Sequence, residues 1–244
     1  MIYVPVSGGK DSQSCLKLAC ETQEDVVGLF CDTKFEHPDT YKHIERMSSL
    51  YNVEILTLAA DSDVISESLK YKRFPSGLSR HCTDALKIQV LKRFIKTKAE
   101  EIGGFEVWFG MRSDESPARA KRYAGKVGDE LMEPHEMMPS KYPKYLGKMG
   151  IRFRLPILEW SKSDVFDYLK KEYHPHYDLG FDRVGCFPCL AGGDKWKLKA
   201  FQHDEFGQEQ YKKVLWLSEQ INKSVWTSKG MKQQEEQGCL ICSM

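Results

Sequence analysis

Six residues near the start of the chain, Ser7-Gly8-Gly9-Lys10-Asp11-Ser12, have the makeup of an anion cradle. Gly8 and Gly9 let the backbone approach a bulky anion and turn its N–H groups inward. Lys10 adds a positive charge, and Ser7 and Ser12 add hydroxyl donors. The spacing is not that of the G-x-x-x-x-G-K-[ST] phosphate loop. An ordinary strand-to-helix turn is the bland alternative. Thiols form a second set. Of eight cysteines, Cys186 and Cys189 make a C-x-x-C knuckle, and Cys239 and Cys242 repeat that spacing near the C-terminus. Two thiolates so spaced can grip one metal centre from a tight turn; a redox dithiol is the alternative. Cys82 stands at the start of a helix-like stretch, where the dipole favours the thiolate as nucleophile or soft-metal ligand. Lys87 lies just over a turn further on and can face a phosphate. Arg112 and Arg119 follow an apolar run and suit bidentate phosphate binding, or else ion pairs with Asp114 and Glu115. Asp32 and Thr33 can hydrogen-bond a ribose or base, or merely satisfy the backbone of a turn.

These residues fall at the ends of regular elements. Ile2–Val6 reads as a buried parallel strand, followed by a helix from Gln13 to Glu21 whose positive end points at the cradle. Val26–Cys31, Val53–Leu58 and Phe105–Gly110 read as further strands, and Pro38–Tyr51 and Cys82–Lys96 as helices. Ser161 opens another helix, with Asp164 in a capping position. This alternation predicts an α/β fold with a Rossmann-like parallel sheet and helices on both faces. Ligands of such sheets bind outside the carboxyl ends of the strands, so the loops after Val6, Cys31 and Gly110 should converge on one crevice. From Ala118 to Arg154 the pattern breaks, and a long mobile insert is expected. There, Lys141, Lys144, Lys148, Arg152 and Arg154 alternate with Tyr142 and Tyr145, the pattern of a single-strand nucleic-acid surface or of a solvated face. The chain divides into a nucleotide-binding α/β domain over 1–180 and a Cys-rich helical extension over 181–244.

The chain has 244 residues and a formal net charge of +1, so any attraction to nucleic acid or a membrane surface must be local. No apolar run reaches the roughly 18 residues of a membrane span. The start lacks a secretory signal, so a cytoplasmic protein with free thiols is expected. Cys15, Cys20 and Cys31 read as buried, small apolar residues.

The hexapeptide Ser7–Ser12 resembles the PP-loop of ATP pyrophosphatases, which cleave ATP between the α and β phosphates. Further motifs in the same order extend the likeness to the phosphoadenosine-phosphosulfate (PAPS) reductase-like branch over about the first 190 residues. They are Asp32-Thr33, Cys82-Thr83 with Lys87, Gly110-Met111-Arg112 with Glu115-Ser116, Pro156-Ile157 with Trp160 and Asp164-Val165, and Val184-Gly185-Cys186 with Cys189. The resemblance implies a HUP-type fold binding ATP and Mg2+ on Ser7–Ser12, with Asp32, Thr33 and Arg112 near the nucleotide. It implies catalytic roles for Lys10, Asp11, Lys87 and Arg112. It also implies a [4Fe–4S] cluster on Cys82, Cys186 and Cys189, with Cys239 or Cys242 as a fourth ligand. A structural zinc on the two C-x-x-C pairs is the alternative. The chain departs from the iron–sulfur reductases in having His81 where a second cysteine usually stands. Its tail, Glu236-Gln237-Gly238-Cys239-Leu240-Ile241-Cys242, also differs from their Glu-Cys-Gly-Leu-His-like end. The implied activity is therefore adenylation of a nucleic-acid acceptor for sulfur insertion, as in the ATP-pyrophosphatase component of DNA phosphorothioation systems or in tRNA thiolation enzymes. Sulfonucleotide reduction and a non-catalytic nucleotide-binding module are the alternatives. Implied partners are ATP, the nucleic acid, a sulfur donor such as a cysteine desulfurase, and a second copy of the chain in a homodimer.

Overall fold

A computed structural model describes residues 1–227. Strands β1 (Ile2–Val6), β2 (Val26–Asp32) and β3 (Ile55–Ala59) alternate with helices α1 (Lys10–Thr22), α2 (Pro38–Tyr51) and α3 (Val64–Tyr71). A short helix α4 (His81–Thr83) runs through a π-helical turn, Asp84–Ile88, into α5 (Gln89–Ile102) and then strand β4 (Glu106–Trp108). Short helices α6 (Pro117–Arg122), α7 (Pro134–Met137) and α8 (Tyr145–Lys148) precede strand β5 (Arg152–Arg154). Helices α9 (Lys162–Leu169), α10 (Asp194–Phe201) and α11 (Glu205–Ile221) complete the described chain.

All strand pairs are parallel, in the order β3-β2-β1-β4-β5. This is the expected Rossmann-like α/β sheet, with its order reversing beside β1. The central strands β1 and β2 are buried on both faces, as covered parallel sheets require, whereas edge strand β3 is partly exposed. Ile2, Val4 and Val6 of β1 pack with Phe30 of β2 and with α1 and α2, through Leu16, Ala19, Ile44 and Met47. The alternate residues Tyr3, Leu29 and Cys31 face the other way, toward Leu91, Ile95 and Ala99 of α5. The period of two along each strand thus divides the core into two layers.

Two expectations need correction. The helix from Cys82 begins at His81 and is not regular, because its second turn widens to π geometry over Asp84–Ile88. The stretch 118–154 is not a loose insert. It contributes β5 and three helices, and Met132, Met137, Tyr142 and Leu146 are buried in the layer that holds Tyr3 and Leu29. Helices α10 and α11 share a third apolar cluster with Phe35, Val64 and Leu86 through Phe201, Val214 and Leu217, so the described residues beyond 180 pack onto the rest of the fold. No helix among the described residues is long and apolar enough to cross a membrane.

Candidate active site

The cradle forms at the carboxyl end of β1. Gly8 takes φ +73°, and a Cβ there would meet Thr40 Cγ2 at 2.9 Å, so glycine is required on both counts. The loop is braced from within: Ser7 N–H donates to Ser12 Oγ at 3.1 Å, and Ser12 Oγ donates to the Gly9 carbonyl at 2.9 Å. Lys10 N–H donates to the Tyr177 hydroxyl at 3.0 Å, which ties the start of α1 to a turn far along the chain.

Asp11 joins this loop to the one after β4. Its Oδ2 accepts from Lys10 Nζ at 2.7 Å and its Oδ1 from Arg112 Nε at 2.5 Å. Arg112 is buried and also donates to Asp114 at 3.1 Å and to the Trp160 carbonyl at 3.2 Å. Burial lowers the Lys10 pKa, and Asp11 pulls it back up. Gly110 permits the crossing, because a Cβ there would lie 2.4 Å from the Asp11 carbonyl oxygen. Arg119 pairs with Glu115, so both arginines make the anticipated ion pairs while still lining the cleft.

The cleft over this loop encloses about 510 Å³, within the range of small-molecule sites. Ser7, Gly9, Lys10, Asp11, Ser12 and Arg112 line it. So do residues that the sequence motifs did not assign to it, namely Arg80, Lys162, Tyr177 and Arg183. No local spacing links these four. Only the fold brings them together, although Tyr177 lies in the His-rich turn before the knuckle.

Beside the cleft a smaller pocket of about 140 Å³ is lined by Cys82, Cys186 and Cys189 with Thr33 and Lys87. Ser7, Arg80, Arg183 and Val184 line both spaces. Lys87 therefore stands among the thiols and not among the phosphate-facing residues. The Cys186 sulfur raises its pKa most, with Glu36 adding to the effect. Thr33 is committed locally, donating to Glu36 at 2.7 Å and lying 3.3 Å from Cys186 Sγ. Asp32 makes a turn: its Oδ1 accepts from Lys34 N–H at 2.7 Å and from the Tyr41 hydroxyl at 2.8 Å. Burial pushes the Cys186 thiol up to about 11, and burial together with Cys189 raises Cys82. A bound metal would ionise both, since thiolates are its ligands. Cys15 and Cys31 are buried and Cys20 is half-buried, as expected of packing residues.

Three thiols beside an ammonium group fit a thiolate-held metal group. A single tetrahedral zinc, with Zn–S near 2.3 Å, needs sulfurs roughly 3.8 Å apart. These three sulfurs do not all lie within 4.8 Å of one another. Cys239 and Cys242, the expected further ligands, lie outside the described residues.

A parallel sheet with an anion loop at its order reversal and a thiol pocket alongside defines a nucleotide-site protein of the α/β class. The phosphoadenosine phosphosulfate reductase domain family matches residues 1–191, and the chain belongs to that family. An uncharacterized protein of Methanocaldococcus jannaschii is 30% identical over 194 residues, 78% of this chain and 36% of that protein. A second from that organism is 27% identical, and the chain covers 41% of it. The chain thus spans well under half the length of these two relatives. A phosphoadenosine 5'-phosphosulfate reductase of Cronobacter sakazakii is 25% identical over 73% of this chain and 66% of its own. Among solved structures, the PAPS reductase of Candida auris in its phosphate complex shares the fold at a TM-score of 0.50. It has 19% identity over 77% of this chain and 81% of its own.

Proposed function

We propose that the chain is an ATP pyrophosphatase that adenylates a nucleic-acid acceptor for sulfur insertion, as the ATP-pyrophosphatase component of a DNA phosphorothioation system would. The observation that carries this reading is the shared wall. The phosphate cradle and the three-thiol pocket meet at Ser7, Arg80, Arg183 and Val184, so a nucleotide's α-phosphate and a sulfur-handling centre can be neighbours. The triphosphate, with its Mg2+, lies over Ser7–Ser12, and the adenosine reaches toward Asp32 and Thr33. An acceptor oxygen attacks the α-phosphorus. The α–β bridging oxygen keeps the electron pair of the broken bond and leaves as pyrophosphate. Lys10 and Arg112, held in place by Asp11, stabilise the charge on that leaving group. A sulfur nucleophile then displaces AMP from the acceptor.

Cys82, Cys186 and Cys189 are the residues that would hold a [4Fe–4S] cluster; a fourth ligand, if one is used, is Cys239 or Cys242, which lie outside the described residues. Cys82 lines the same pocket as Cys186 and Cys189, with Lys87 among them, which supports this choice over a zinc on the two C-x-x-C pairs that would leave Cys82 out. Held by these three thiolates alone, the cluster would supply an iron with an open position able to carry sulfide. The sulfur donor is of the cysteine desulfurase kind, and a second copy of the chain completes the assembly.

A second reading, sulfonucleotide reduction, is favoured by the relatives named as PAPS and adenosine 5'-phosphosulfate reductases. One assay separates the two. The pure protein with ATP and Mg2+ should give AMP and pyrophosphate, and no sulfite should appear from a sulfonucleotide. ADP and phosphate, or sulfite release, overturns the proposal. The cluster is tested separately by anaerobic purification. A brown protein that loses its colour in Cys82→Ala supports it, and a colourless one with a single zinc that Cys82→Ala leaves in place does not.

A further inference from the structure

Next to the cysteine knuckle, four histidines gather around Phe187. His37, His176 and His203 all make ring contacts with it, and His174 stacks edge-on against His176 at 4.6 Å. Within this group, His37, Asp39 and His176 present three ligand atoms within 4.8 Å of one another, the only such trio among the described residues. Asp39 Oδ2 stands 3.6 Å from His37 Nδ1 and 3.6 Å from His176 Nε2. Those separations are too long for good hydrogen bonds. They are close to the roughly 3.4 Å that ligands about 2.1 Å from a tetrahedral ion must keep.

Two further observations point to a ligand there. His176 is 3% exposed, and its Nε2 is buried without a hydrogen-bond partner. A buried polar atom left unpaired is costly, and here it aims at Asp39. Then there is His37. Its other nitrogen, Nε2, lies 2.7 Å from Asp204 Oδ2. That is the carboxylate–histidine pairing that fixes the tautomer of a metal-ligating imidazole. Asp204 is itself held in place, because its Oδ1 caps α11 by accepting from Gly207 N–H at 2.8 Å.

We propose that His37 Nδ1, His176 Nε2 and Asp39 Oδ2 bind one divalent ion of the zinc class, oriented by Asp204. Two imidazoles with one carboxylate suit zinc or cobalt better than calcium or magnesium, which prefer oxygen. Water completes the shell on the Asp39 side, where that side chain is 43% exposed. Ligation takes the Nδ1 lone pair from the Asp39 amide, which donates to it at 3.1 Å in the helix cap. The two carboxylates offset the ion's charge beside the positive end of α2. The ion joins the starts of α2 and α11 to the 174–177 turn, and so fixes the wall on which the knuckle rests. This site shares no ligand with the cysteine pocket.

The test is titration of the full chain, purified anaerobically, with Co2+ as the probe. One Co2+ should bind with a visible d–d spectrum and no thiolate charge-transfer band. His176→Gln should abolish binding. Asp204→Asn should weaken it by about 10–100-fold, as loss of a ligand-orienting carboxylate does, while asparagine still caps α11. No stoichiometric binding overturns the proposal. So does a thiolate band that persists in His176→Gln, or an affinity that both variants leave unchanged. The iron colour, read separately, reports on the cysteine pocket whatever the cobalt result.

Discussion

Asp11 is the residue on which the cleft turns, because it holds Lys10 and Arg112 on its two oxygens. Those pairs fix two cations in a site they would otherwise leave for solvent. Lys10→Ala should cost about 3 kcal/mol of transition-state stabilisation, the typical effect of removing a preorganised donor. The measurement is pyrophosphate release under saturating ATP, with the protein's unfolding curve unchanged. Gly110 gives a second expectation. Gly110→Ala places a methyl 2.4 Å from the Asp11 carbonyl, where only backbone can move. A loss of about 1–3 kcal/mol in urea unfolding is expected from such overpacking, together with loss of pyrophosphate release. Much at this scale was legible in the hexapeptide, because glycine and lysine types define a cradle wherever they stand. Arg80, Lys162, Tyr177 and Arg183 were not, since nothing near them in sequence marks them as neighbours of Lys10.

Among the elements, α2 was the easiest to read. Its bounds, Pro38–Tyr51, follow from proline at the first turn and an apolar stripe through Ile44 and Met47. Strand β5 was hidden, because Arg152-Phe153-Arg154 carries one apolar residue between two cations. Only pairing with β4 makes it a strand. Met132, Met137, Tyr142 and Leu146 were missed for a related reason: their spacing follows neither helix nor strand, and their burial is set by packing on the sheet. The faces of α1 and α2 also carry a titration. His43 on α2 lies 2.9 Å from Gln13 Oε1 of α1, and burial holds its pKa down at about 4. The unfolded chain, with histidine near 6.5, binds more protons than the folded one between these values. Stability is therefore full above about pH 6.5 and falls as the pH drops toward 4, by roughly 3 kcal/mol for His43 alone. His174, held down at about 3, adds a slope of the same sign. Denaturant midpoints from pH 7.5 to 4 check this, and His43→Gln should flatten the curve.

For the molecule as a whole, the proposed nucleic-acid acceptor raises the question of how a chain of net charge +1 would attract a polyanion. The basic, tyrosine-rich stretch 141–154 is a poor candidate in the folded state. Tyr142 is 1% exposed and cannot stack on a base. Lys141 is paired with Asp84 at 2.7 Å, Arg154 is paired with Asp129, and Arg152 donates to the Gly147 and Ile151 carbonyls at 2.9 Å. Of that stretch Lys144, Tyr145 and Lys148 stay exposed, whereas Arg80, Arg119, Lys162 and Arg183 line the cleft where the chemistry would take place. Arg119 and Lys162 face Glu115 and Asp182, whereas among the described residues Arg80 and Arg183 form no salt bridge. The acceptor strand should therefore cross the cleft mouth, where its phosphate would meet the α-phosphorus. Affinity for single-stranded nucleic acid should then fall with salt at a slope of about −0.7 per neutralised phosphate. Arg183→Ala should reduce that slope by about one phosphate's worth, and Tyr142→Phe should leave both slope and affinity unchanged. Anisotropy titrations of labelled single-stranded DNA and tRNA at several salt concentrations measure both. Binding that ignores salt, or that survives Arg183→Ala with the same slope, would place the acceptor elsewhere on the surface.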